Sequence, residues 1–147
     1  MLLTNYVNIC GTPDLQILIG DQHIISDVRI THPFCPTYVK RAAVEQLAAA
    51  KRSEHEKFNK YMNTASQHDA EFVPFVMETT GATGTDALHI MELIVMESRD
   101  NNTLWPHEIV ARELRGALAI AVQKGNAMTM IAGRNIAIGR AATAIAA

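Results

Sequence analysis

Alternation between apolar and polar positions is strongest between Pro13 and Thr31, PDLQILIGDQHIISDVRIT. Leu15, Ile17 and Ile19 alternate with polar or mixed positions. After Gly20-Asp21, Ile24, Val28 and Ile30 keep period two for most of the run, which predicts two strands. Gly takes positive φ at no steric cost, so Gly20-Asp21 is expected to close them as a two-residue hairpin. That loop sets Ile19 opposite Gln22, Ile17 opposite Ile24 and Asp14 opposite Asp27. The last pair would place two carboxylates side by side, with Cβ atoms roughly 5 Å apart.

The period changes after Thr31. Pro33 and Pro36 end the strand and delay any helix, and Thr37 is a candidate N-cap for a long helix over about 38–65. On a helical wheel Leu47, Ala50, Phe58, Tyr61 and Met62 share a narrow arc, which predicts the face that packs on the sheet. Measured from Leu47, Lys57 lies about 80° away, at the edge of that face, and Lys60 about 140° away, towards solvent. Phe72 to Met77 predicts a short buried strand over about 72–77, with Pro74 at an edge or an end. Thr85 caps a helix over about 86–98, and residues 99–103 form a polar connection. Pro106 suits the first turn of a further helix ending near Lys124, with Gly125 just beyond its end. Residues 127–147 are expected to be a loosely held helix or a frayed tail, and Leu2 to Ile9 a short strand before Gly11-Thr12. The organisation expected is a mixed α/β (α+β) core over 1–104 and a helical extension over 105–147.

Composition narrows the class. With 147 residues, 48% hydrophobic and 19% charged, the chain can bury a core and should fold. Cys10 and Cys35 make no disulfide framework, and no Cys/His spacing suits zinc, so a reducing compartment is expected. No basic segment leads a long apolar core at the start, and no apolar run reaches the roughly 18 residues a membrane span needs. A net charge of −2 argues against indiscriminate nucleic-acid binding, but the charge is segregated. Residues 39–63 carry six Lys/Arg against three Glu, whereas 64–104 carry Arg99 against seven acids.

The facing carboxylates are the chief candidate chemistry. Like charges opposite each other destabilise a ladder, and a divalent cation such as Mg²⁺ between them removes the penalty. The plainer alternative leaves both acids solvated at a strand entrance and an edge. Lys57 could lean over the hairpin with Tyr61 one turn further on, or be an ordinary surface cation whose stem lies along the helix. GATGT lacks the Gly-Lys-Ser/Thr of a phosphate-binding P-loop. Cys35 and His32 have no partner at a spacing known for nucleophilic catalysis.

Pro13-Asp14, then twelve residues, then Asp27-Val28-Arg29 resembles the PD-(D/E)XK motif of restriction-like nucleases, with Arg29 at the motif's lysine. DVRITHPFCPTYVKRAA, KFNKY, FVPFVMETTGATG and LAIAVQKGNA follow in order. Together they are similar to the endonuclease domain that follows the reverse transcriptase of some non-LTR retrotransposons, over roughly residues 13–128. The resemblance implies a restriction-endonuclease-like core and a DNA endonuclease that nicks its target to prime reverse transcription. It implies Mg²⁺ (or Mn²⁺) on Asp14 and Asp27, and a catalytic lysine from the following helix, Lys57 or failing that Lys60. It implies supporting or DNA-contacting roles for Arg29, Thr31, Tyr61, Lys51 and Arg52. DNA and a reverse transcriptase domain are the implied partners, and the cell interior, the nucleus in a eukaryote, the implied compartment. The family's core begins with a helix and a strand upstream, so the N-terminal part of the core is expected to be missing here and the chain to be a fragment. The alternative expectation is an inactive remnant or non-catalytic binding module of the same fold.

Overall fold

The computed structural model describes residues 2–5, 13–100 and 105–145. It is a mixed α/β structure in three layers. Strand β1 (Leu2–Asn5) pairs antiparallel with β2 (Leu15–Ile19), which pairs antiparallel with β3 (Gln22–Ser26). The hairpin has the expected register, with Ile17 opposite Ile24 and Ile19 opposite Gln22, and Gly20 at φ 54° in the turn. The first strand is described over Leu2–Asn5; the rest of the expected Leu2–Ile9 strand and Gly11-Thr12 lie outside the described residues.

Strand β4 (Val28–Thr31) continues from β3 after a break at Asp27. The strand expected at 72–77 is also broken, into β5 (Glu71–Phe72) and β6 (Phe75–Glu78). β5 runs parallel to β3 and β6 parallel to β4, with one offset throughout: Ile25 faces Phe72 and Val28 faces Phe75. Two bonds cross the break, Val73 N–H to Ile25 C=O at 3.0 Å and Phe75 N–H to Asp27 C=O at 3.1 Å. The two sheets are thus one parallel ribbon bent where Asp27 lies against Pro74. Residues 73, 75 and 79 donate inward to β3 and β4. In a parallel ladder the next residue's N–H points away, so the one Pro74 lacks is not needed.

The long helix expected over 38–65 is two helices. A single turn, α1 (Val39–Ala42), has Tyr38 at its N-cap position, with no side-chain cap, in place of Thr37. After a turn, α2 (Ala48–Gln67) starts from Leu47 in the left-handed region at φ 59°. That reversal lets Ala48, Ala49 and Ala50 bury completely against the sheet, which one straight helix from residue 38 would not do. The buried face of α2 also departs from the wheel. Ala50, Ser53, Glu54, Tyr61 and Ala65 are buried, while Phe58 and Met62 are exposed. The inner stripe is rotated by roughly 40° from the one the apolar residues mark, and Lys57 lies inside it.

Helix α3 (Thr85–Asp100) covers the opposite face. Its Ile90 packs with Ile17, Ile19, Ile24 and Val73, while Tyr61 and Ala65 of α2 pack with Ile25 and Phe72. Gly84, leading into α3, passes so close to α2 that an added Cβ would overlap Glu54 Oε1 and lie 2.9 Å from Val76 O. Helix α4 (His107–Ile145) runs 39 residues without stopping at Gly125. Gly125 is therefore an interior residue and not a C′ cap, because Ala-rich sequence on either side sustains the helix. α4 lies along α3 and is tied to the end of β6 by Asn126 Nδ2 donating to Thr79 O at 2.8 Å. Among the described residues no helix is long and apolar enough to cross a membrane.

Candidate active site

The bend in the ribbon creates the site. Successive strand residues face opposite ways, so Ile25, Asp27, Arg29 and Thr31 all face α2. Asp27 ends one strand and precedes the next, and its side chain is buried at the bend. Asp14 lies just before β2, one step beyond the Leu15–Ser26 pair. It does not stand free beside Asp27. Its Oδ2 accepts the Val28 N–H at 2.9 Å, and so the two acids flank a single peptide.

Lys57 comes from α2, and its Nζ forms an ion pair with Asp27 Oδ2. That oxygen is fully buried and accepts no hydrogen bond of good geometry, so the ammonium is its one close partner among the described residues. Side-chain exposure is 20% for Lys57 and 6% for Asp27, so the lysine is the wetter partner. Ser53 lies one turn before Lys57 on the same stripe, and its buried Oγ has no hydrogen-bond partner among the described residues. Tyr61 lies one turn after. Its ring packs 5.2 Å from Phe72 and stands 5.7 Å from Lys57 Nζ, so a core aromatic underlies the lysine.

The other expected residues fall into distinct places. Lys60 is exposed, lies 4.4 Å from the Tyr61 ring and donates to Tyr61 OH at 2.7 Å, whereas the ion pair to Asp27 comes from Lys57. Arg29 reaches Glu56 at 2.9 Å, one residue before Lys57. Arg52 and Arg29 together hold the Glu56 carboxyl below its ordinary range, mainly through the Arg52 hydrogen bond. Lys51 pairs with Glu45 at 3.0 Å and Arg52 stands 5.6 Å from the Tyr38 ring, both exposed. Thr31 is buried and its C=O accepts the Thr79 N–H. His32 Nδ1 is 2.6 Å from Thr79 Oγ1, in a structural turn.

The wheel did not flag two buried acids. Glu54 Oε1 accepts the Asp86 N–H at 3.2 Å, and burial pushes its carboxyl up. Glu78 Oε1 accepts the Ala50 N–H at 3.3 Å, in the first turn of α2, where a carboxylate offsets the helix dipole. For Lys57 the sequence signal was the i, i+4 row Ser53, Lys57, Tyr61, Ala65, whose polar members an apolar count discards.

Among the described residues no three His, Cys, Asp or Glu side chains form a metal cluster. Mg²⁺ needs fewer, being held by one or two carboxylates with waters and phosphate oxygens. Asp27 and Asp14, across one peptide, are the carboxylates present for such a cation, which would take the place of the Lys57 ammonium on Asp27 Oδ2. No protein-family model, curated protein or solved structure matches this chain.

Proposed function

We propose that the chain is a metal-dependent DNA endonuclease domain of the restriction-like class, acting beside a reverse transcriptase and supplying it with a nick. The observation that carries this reading is the meeting of Asp14, Asp27 and Lys57, from a strand entrance, a strand break and a helix, at one peptide. A fold remnant needs only the apolar alternation.

Asp14 and Asp27 would hold Mg²⁺ or Mn²⁺. When bound, the ion would lower the pKa of a water and neutralise charge on the scissile phosphate. Lys57 brings a compact charge with three donors to the same spot, suited to the phosphate oxygen whose charge grows in the transition state. Tyr61 and Phe72 fix where the lysine stem lies. Arg29 adds a second cation at the rim and cannot accept a proton.

The test is nicking of supercoiled plasmid by the purified chain with Mg²⁺. Nicked circles are expected, with a loss of about 10²-fold or more for Asp27→Ala and Lys57→Ala and nearly full activity for Lys60→Ala. Absence of cleavage by a folded chain overturns the reading. It would favour a non-catalytic binding module, for which the supporting observation is that Lys57 already neutralises Asp27.

A further inference from the structure

Helix α4 presents two unlike faces. Leu114, Leu118, Val122 and Asn126 turn towards α3 and the β4–β6 ribbon. On the opposite side Ile120, Ile131 and Ile138 are 57%, 59% and 55% exposed. With 3.6 residues per turn, these three share an arc of about 60° with Ile109, Glu113, Gly116, Ala127 and Arg134.

Positions along this stripe are related by a two-fold axis, as along any regular helix, so the residue types decide whether the face is self-complementary. From Ile109 to Ile138 the steps run four, three, four, seven, four, three, four. They read the same in both directions about the Gln123–Lys124 bond. Residue types follow the same symmetry. Isoleucines stand at both ends, Glu113 mirrors Arg134, Gly116 mirrors Ile131, and Ile120 mirrors Ala127. A second α4 laid antiparallel across the first would set Ile131 against Gly116 and Ile120 against Ala127, with the terminal Ile109 and Ile138 packed on each other. Gly116 has open space where a Cβ would be, as a hole for the other copy's Ile131 requires. The stripe's acid would meet its arginine twice. Among the described residues Glu113 pairs with its neighbour Arg112, at 3.1 Å and exposed, a contact that contributes little.

The geometry points to a second copy of this chain as the partner of that face, joined through antiparallel α4 helices. A parallel arrangement would stack Arg134 on Arg134 and Glu113 on Glu113, and like charges in register select against it. This pairing is independent of the proposed cleavage, because its stripe includes none of Asp14, Asp27 and Lys57.

Sedimentation equilibrium of the full chain over about 1–100 μM tests it. A monomer–dimer equilibrium is expected. Arg134→Glu and Glu113→Lys should each weaken it by about tenfold or more, and the double variant should restore it. Ile131→Asp should abolish it. All these positions are exposed in the monomer, so the far-UV spectrum should not change. A monomer throughout, or a dimer indifferent to Arg134→Glu and Ile131→Asp, overturns the inference.

Discussion

At the scale of single residues, the inner stripe of α2 gives up apolar burial to position polar groups. Ser53, Glu54 and Lys57 occupy places where leucines would pack, and Glu54 and Lys57 are held by the Asp86 N–H and the Asp27 carboxylate. Glu54 shows the cost most directly. Its carboxyl is pushed up chiefly by burial, with the Asp86 backbone bond pulling the other way. The folded chain therefore holds that proton more tightly than the unfolded one. The resulting stability is complete below the ordinary carboxyl pKa and is lost as pH rises through the raised value. Glu54→Gln keeps an acceptor for the Asp86 N–H and removes the buried charge. It should raise the urea midpoint at pH 7.5, with the gain fading towards pH 4; a gain that grows on acidification would refute the assignment.

At the scale of elements, the departures from sequence expectation share one cause. Local signals mark where an element can stop, and packing decides whether it does. Thr37 is a good cap, yet the chain turns again at Leu47 because three alanines must reach the sheet. Gly125 is a good terminus, yet α4 passes through it and is anchored next door by Asn126. Nothing lies within 4 Å of a Cβ added at Gly125. Gly125→Ala should therefore stabilise the chain by about 0.5–1 kcal/mol in thermal or urea unfolding, as in any exposed helix interior. A left-handed C′ residue would instead make the same change destabilising.

At the scale of the whole molecule, segregated charge matters more than the net −2. Basic residues concentrate on α1 and α2, and acids in the stretch that follows. Lys51 and Arg52 are exposed, and their surface pairs with Glu45 and Glu56 are ones a phosphate backbone can displace. Lys51→Glu with Arg52→Glu should weaken duplex binding by about tenfold at low salt, and the difference should shrink as salt rises. Fluorescence anisotropy across a salt series reads both. An equal loss at every salt concentration would show a folding defect in place of a lost electrostatic contact.

The hairpin and its register were legible in the chain alone. Period-two alternation and Gly20-Asp21 admit one pairing, and a slip by one residue would turn Ile17 and Ile24 out of the core. So were a strand near 72–77 and the helices, because their signals are local. The bend at Asp27, the second helix start at Leu47 and the choice of Lys57 over Lys60 were not. Each depends on contacts between residues far apart in sequence: Asp27 against Pro74, Ala50 against Glu78, Lys57 against Asp27. A wheel drawn from apolar residues places Lys57 at the margin because it assumes that the buried face is apolar. Tertiary structure decided otherwise, since a carboxylate buried at a strand break needs a cation, and α2 is the element that passes over it.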